Sequence, residues 1–367
     1  MYNPQPGDPL AAVDTPAMIV DLTLMEENIA RLMGRFRNTS VHVRPHLKTV
    51  KSPALAQLLL AAGASGGCVA KVSEAEVMVQ GGVEDLLITS EIVGPPKLAR
   101  LVALVHDHPL IKVVVDSVAG ATALNEAMHP ARLQIQVLIE LNVGQNRCGV
   151  EPGAEALALA QHIKTLHNLR LVGVQGYEGH LQHVHDQAER EQRCRQAMQL
   201  LTDTVTRLRE AGSTMEIVTT GGTGTAEICA SCPGVTEVQP GSFIFMDTDY
   251  RNAIGSTYTN ALTILSTVIS QPSPRKAIVD AGLKSLSIDS GMAEPKGLPG
   301  VRYRPGGDEH GILSRDDNEP IALTVGDRIE FIPSHIDTTV NLHDTYYAYR
   351  NGILEAIWPV AARGKVQ

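Results

Sequence analysis

Lys48 closes a short apolar alternation in the stretch "VHVRPHLKTVKS", residues 41–52, and Pro53 halts the pattern soon afterwards. A lone lysine is ordinarily a solvated charge. Seated among apolar neighbours, its amine is pushed toward the neutral form, which is the form that attacks an aldehyde. Four other stretches carry residues that would suit such an amine. "NVGQNRCGV" holds Arg147, and "QGYEGHLQH" holds Tyr177, His180 and His183. "TTGGTGT", residues 219–225, holds Gly222, Thr223 and Gly224, and "PGSF", residues 240–243, holds Gly241 and Ser242. Glycines in such loops let backbone N–H groups approach an anion with no Cβ in the way, while Thr and Ser add hydroxyl donors. Each loop alone is equally a tight turn needing a positive φ, and Arg147 alone is equally a loop ion pair. The elements that carry these residues must decide.

Eight β-type runs recur between residues 41 and 245: "VHVRPH", "GGCVAK", "DLLITS", "IKVVVD", "LQIQVLIEL", "LRLVGVQGY", "MEIVTT" and "TEVQPG". Stretches of helical spacing such as "SPALAQLLLAAG" and "EPGAEALALAQHIKTL" separate them. Strict alternation calls for a parallel sheet, and eight repeats for an α/β protein built on a closed (β/α)8 TIM-type barrel, here over residues 23–250. A doubly wound open sheet is the structural rival. In a barrel, Lys48, Arg147, Tyr177 and the two glycine loops all fall at the carboxyl ends of strands, where barrels do their chemistry. The glycine loops follow the seventh and eighth strands, the usual phosphate-binding position. An amine facing a phosphate cradle suggests pyridoxal phosphate, with Lys48 on the aldehyde, Arg147 on the ring phenolate and Tyr177 on the ring face or the phosphate.

Beyond residue 255 the chain changes to strands broken by Gly, Pro and Asn-Gly turns, as in "YTNALTILSTVIS", "RKAIVDAG", "DRIEFIPSH" and "TYYAYRNGILEAIW". This predicts a mostly β domain of residues 251–367. The opening strand "DTPAMIVDL" is one too many for the barrel and is expected to join that domain with the rest of residues 1–22. The helix "TLMEENIARLMGRF" would be capped by Asp21 or Thr23. A net charge of −9 over 367 residues speaks against nucleic acid or an anionic membrane as partner. No stretch reaches the roughly 18 apolar residues of a membrane span, and "MYNPQPGDPL" lacks the basic and apolar regions of a signal peptide. Five scattered cysteines make no disulfide framework, and the Cys229/Cys232 pair has no second pair to complete a zinc site. A cytoplasmic location is expected.

"RPHLKT", "NRCGV", "GGTGT" and "QPGSF" resemble the alanine racemase-like family of pyridoxal phosphate barrel enzymes. "KVSEAE", "VDAGLKS", "DEHG", "PSHIDTTVNLHD" and "AARG" extend the likeness over nearly the whole chain, toward the D-threonine aldolases. The resemblance implies a barrel followed by a β domain, Lys48 as cofactor anchor flanked by Arg147 and Tyr177, a small amino acid as substrate, and a homodimer. It also directs attention to His335 and Asp337. On a strand, positions i and i+2 share a face, and an imidazole with a carboxylate suits a divalent cation, Mn²⁺ or Mg²⁺ above softer metals. The related D-serine dehydratase-like enzymes, which use zinc, carry Cys where this chain has Asp337.

The activity implied is cleavage of a D-3-hydroxy amino acid to glycine and an aldehyde. The cation on His335 and Asp337 would acidify the β-hydroxyl, and His183 would take its proton. Asp308 in "DEHG" is a candidate for orienting substrate. The three histidines at 180, 183 and 185 are alternatively a second metal site or an exposed loop. A β-hydroxyaspartate aldolase releasing glyoxylate shares nearly all these motifs. A D-serine or D-3-hydroxyaspartate dehydratase, a racemase and a non-enzymatic pyridoxal phosphate-binding homeostasis protein are the other readings; the β domain with its H-x-D pair counts against the last.

Overall fold

The computed structural model describes residues 2–367. Strand β1 (Ala17–Asp21) runs into the helix Leu22–Phe36, whose start Asp21 caps by accepting the N–H groups of Thr23 and Leu24. Then come all eight expected barrel strands: β2 (His42–Val43), β3 (Gly67–Val69), β4 (Leu86–Ile88), β5 (Lys112–Val115), β6 (Ile135–Glu140), β7 (Leu169–Gln175), β8 (Ile217–Thr220) and β9 (Glu237–Val238). Every neighbouring pair is parallel, in the order β2-β9-β8-β7-β6-β5-β4-β3. The segment after β2 closes the ring against β3 through a parallel bridge of His46 with Cys68 and bonds from Leu47 N–H to Cys68 O (2.7 Å) and Cys68 N–H to Pro45 O (2.9 Å). Closure rules out the open sheet. Cys68, Leu87, Val114, Leu138, Val172 and Ile217, one from each of β3 to β8, pack into one cluster, as inward-facing barrel residues do.

Two compact units result: residues 32–48, 53–241 and 365–367 form the barrel unit, and residues up to 31, 49–52 and 242–364 form the other. These bounds differ from those expected at 23 and 250, and Asn28 supplies a reason. Its buried amide donates to Ile244 O and Thr259 O and accepts Thr259 N–H, which ties the first half of the helix to the segment 242–259. The second unit holds β10 (Leu262–Ser273), β11 (Lys276–Val279), β12 (Glu294–Pro295), β13 (Arg302–Pro305), β14 (Gly311–Ser314), β15 (Arg328–Ile332), β16 (Thr345–Arg350) and β17 (Ile353–Pro359). The extra opening strand takes the expected place: β1 lies between β10, antiparallel, and β16, parallel. Asn351 (φ 50°) and Gly352 (φ 77°) make the two-residue turn joining β16 to β17. Among the described residues no helix is long and apolar enough to cross a membrane.

A buried ion network ties the amino-terminal parts of the barrel together. Arg44 Nε meets Glu237 Oε2 at 2.8 Å, Arg44 Nη1 meets Asp85 Oδ1 at 2.7 Å, and Lys112 Nζ meets the same Asp85 oxygen at 2.8 Å. Replacing Arg44 with methionine strands the buried Glu237 carboxylate, while Asp85 keeps Lys112, and should cost about 3–5 kcal/mol in a denaturant titration. Burial alone would raise the Asp85 carboxyl, but the charge of Arg44 and bonds from Arg44 and Lys112 outweigh it and hold it below its ordinary value. A depressed carboxyl stabilises the fold above its unfolded pKa of about 4 and loses that contribution as pH falls through the folded value. Acid melting of Arg44→Met should therefore be shallower than that of the parent below about pH 4.

Candidate functional site

Barrel strands end in a polar layer that supports the residues above it. Gln175 Nε2 donates to Glu140 Oε2 at 2.5 Å, while Gln239 Nε2 donates to Gln175 Oε1 at 2.9 Å and Thr219 Oγ1 at 2.8 Å. Glu140, Gln175, Thr219 and Gln239 lie at or just beyond the carboxyl ends of β6 to β9 and are all buried. Burial pushes the Glu140 carboxyl well above the usual carboxylate range. Sequence reasoning passed over Glu140; the signal was a charged residue ending the apolar run "IQVLIE".

Lys48 is half-buried in the turn after β2, with its backbone N–H directed to His46 Nδ1 at 3.4 Å. His46 Nε2 is in turn 3.0 Å from Thr89 Oγ1. Its sequence neighbours Leu47, Thr49 and Val50 are buried. Arg147 and Tyr177 come together from the loops after β6 and β7, with the guanidinium carbon 5.6 Å from the tyrosine ring centroid. The Arg147 loop is shaped by Asn142 Oδ1, which accepts the N–H groups of Gly144 and Asn146. On the segment after Tyr177, His180, His183 and His185 are all exposed. Partial desolvation, then the charge of Arg193, lowers His180 below its ordinary value. The three histidines form no metal cluster. Among the described residues, the only three metal-capable side chains with donor atoms within 4.8 Å of one another are Glu178, Cys194 and Cys229.

The glycine loop after β8 differs from expectation in one respect. Gly222 N–H donates to Thr225 Oγ1 at 3.1 Å and Gly224 N–H to Gln182 Oε1 at 2.9 Å, so both are engaged within the protein rather than offered to an anion. The reason is the polar pair Glu178 and Gln182 packed beneath the loop. Thr223, at its apex, is buried. The loop after β9 keeps its donors: among the described residues, the backbone N–H groups of Gly241 and Ser242 meet no acceptor, and Ser242 is buried. Buried N–H groups are seldom left without an acceptor. An anion there would supply one, and with a half-buried amine at 48 and a cation over an aromatic ring, the donor set fits a phosphorylated aldehyde.

In the second unit, His335 and Asp337 are not on a strand. Strand β15 ends at Ile332, and Pro333 stops the ladder. His335 occupies the N-cap position of the short helix Ile336–Val340 without a capping bond from its ring, and Asp337 lies in the first turn. Buried Asp247 anchors that helix start by accepting Ile336 N–H at 3.0 Å, and burial raises its carboxyl to about 6. His335 Nδ1 lies 2.6 Å from Asp289 Oδ2, while Ser287 and Thr338 hydroxyls hold the other Asp289 oxygen. Burial opposes the shift, yet these three side-chain bonds pull Asp289 down to about 2. Burial would lower His335, but the charge of Asp337, then the bond and charge of Asp289, raise it. A carboxylate on one ring nitrogen fixes the other toward a cation, the usual support of a ligating histidine. The donor set fits a divalent metal. Asp289 was missed because nothing local in "SIDSG" links it to a histidine 46 residues away. Asp308 is instead paired at the surface, 3.9 Å from Lys284 Nζ.

A closed parallel barrel joined to an antiparallel unit, with its unusual residues at the strand carboxyl ends, defines the alanine racemase-like class, and the chain belongs to that family: its model, "Alanine racemase, N-terminal domain", matches residues 20–249, and "Putative serine dehydratase domain" matches residues 261–349. Within it, the chain is 42% identical to a D-threonine aldolase of an Arthrobacter species, over 98% of this chain and 95% of that protein. It is 35% identical to a 3-hydroxy-D-aspartate aldolase of Paracoccus denitrificans, over 98% and 95%. The crystal structure of D-threonine aldolase from Filomicrobium marinum superposes with a TM-score of 0.96 at 42% identity, covering 99% of this chain and 100% of that one.

Proposed function

We propose that the protein is a pyridoxal phosphate- and divalent metal-dependent aldolase that cleaves D-3-hydroxy amino acids of the D-threonine type to glycine and an aldehyde. The observation that carries this reading is the Asp337 carboxylate beside a histidine fixed by Asp289, in a chain similar end to end to such an aldolase. A carboxylate favours a hard cation where a thiolate would select zinc. Pyridoxal phosphate, when bound, supplies an aldehyde for amines and a ring that takes up the electron pair released at Cα. Lys48 would supply the amine that holds that aldehyde. Arg147 would balance negative charge on the ring oxygen, Tyr177 would present its face, and Thr223, at the apex of the Gly222–Gly224 loop, would take the phosphate together with the Gly241–Ser242 loop. His335 and Asp337 would hold the cation, whose Lewis acidity would make the β-hydroxyl easier to deprotonate. His183, exposed on the segment after Tyr177, removes that proton. Manganese or magnesium as cation, a homodimer and the cytoplasm complete the proposal.

The 3-hydroxy-D-aspartate reading has a specific observation behind it, the 35% identity over nearly the full chain. Purified protein incubated with D-threonine, L-threonine, D-serine and 3-hydroxy-D-aspartate, with and without Mn²⁺, separates the readings by product. Glycine with acetaldehyde from D-threonine alone is the expected outcome. Glyoxylate from 3-hydroxy-D-aspartate, at higher kcat/KM, would shift the substrate; ammonia with a keto acid would replace the aldolase by a dehydratase.

A further inference from the structure

We infer that Glu178 and Gln182 are positioning residues that preform the glycine loop 221–225 for the cofactor phosphate, an inference that rests on the phosphate-loop reading above. Glu178 follows Tyr177 directly and is fully buried. Its carboxylate accepts four hydrogen bonds: Thr220 Oγ1 at 2.8 Å, Gly221 N–H at 3.2 Å, Thr225 Oγ1 at 2.5 Å and Gln182 Nε2 at 3.0 Å. Two oxygens with about four lone-pair sites thus face four donors, of which the Thr220 hydroxyl is shared with Gly176 O at 2.7 Å. That is why this group, although close to Cys194 and Cys229, is better read as a structural acceptor than as a metal ligand.

The bonds fix the protons of Thr225 and Gln182. Thr225 has one hydroxyl hydrogen, given to Glu178, so it accepts from Gly222 N–H and from Gln182 Nε2 at 2.8 Å. Gln182 thus donates from Nε2 to both Glu178 and Thr225, which leaves Oε1 to accept Gly224 N–H. The loop's N–H groups at 221, 222 and 224 are all turned onto this platform, and the apex residue Thr223 is held between two anchored glycines. The glycines themselves are required by the fit. A Cβ on Gly222 would stand 2.5 Å from Gln182 Oε1, and one on Gly224 would stand 2.3 Å from Gln182 O. A loop held so firmly needs no ordering when its ligand arrives, and pre-organisation of this kind appears as affinity.

Glu178→Gln is nearly isosteric but places an amide donor against donors. Apoprotein titrated with pyridoxal phosphate and, separately, with pyridoxal, which lacks the phosphate, tests the role by absorbance. Glu178→Gln and Thr225→Val should lose roughly tenfold to a hundredfold in affinity for pyridoxal phosphate while pyridoxal binding stays as in the parent. Thr225→Ser, which keeps the hydroxyl, should retain the parent's preference. Should Glu178→Gln fail to fold, Gln182→Met releases Gly224 N–H and is read the same way. A folded Glu178→Gln protein with the parent's preference intact overturns the positioning role alone. A parent protein that binds both compounds equally overturns the phosphate-loop reading, and the positioning role with it.

Discussion

Lys48→Ala should abolish the visible absorbance band that marks cofactor joined to a lysine, and lower aldol cleavage by about three orders of magnitude or more. Lys48 is half-buried in the turn after a barrel strand, flanked in sequence by buried Leu47 and Thr49. Lys48→Arg separates the two roles. A guanidinium keeps the positive charge but stays protonated at any working pH, so it should lose the band as completely as alanine does. Retention of the band in either variant would move the anchor to another lysine. A band lost with cleavage intact would remove covalent attachment from the mechanism.

The barrel was legible because its signal is repeated eight times. Each strand is a short apolar run followed by a helix long enough for a crossover, so errors of a residue or two at element ends leave the topology unchanged. The opening strand was legible for a related reason: with eight strands already assigned, "AMIVD" had to pair elsewhere, and it lies between β10 and β16. The juxtaposition of Arg147 and Tyr177 followed from strand ends alone. What the chain's linear order concealed was partnership at a distance. Asp247 and Asp289 lie in unremarkable turns, and only folding brings the one to Ile336 N–H and the other to His335 Nδ1. The glycine loop failed differently. Glycine admits close approach by any neighbour, and here the neighbour is Gln182 of the same chain. The H-x-D pair was expected on a strand because β15 runs up to it, but Pro333 cannot donate to the ladder, and the pair folds into a helix start.

Asp337→Ala should leave the cofactor band in place and reduce aldol cleavage by about a hundredfold or more, because it removes a cation ligand and not the amine that anchors the cofactor. Chelation by EDTA should act on the parent in the same way, with Mn²⁺ restoring cleavage to the parent and not to the variant. Two further substitutions distinguish ligand from support. Asp289→Asn keeps the shape of the side chain but removes the charge that holds His335 Nδ1 at 2.6 Å. Its effect should be weaker binding of added metal, by about tenfold to a hundredfold in affinity, with cleavage recovered at saturating Mn²⁺. Asp337→Cys exchanges a hard donor for a soft one and should shift the preferred ion from Mn²⁺ toward zinc. If cleavage survives both EDTA and Asp337→Ala, the cation has no part in breaking the Cα–Cβ bond, and the pair at 335 and 337 serves the helix start alone.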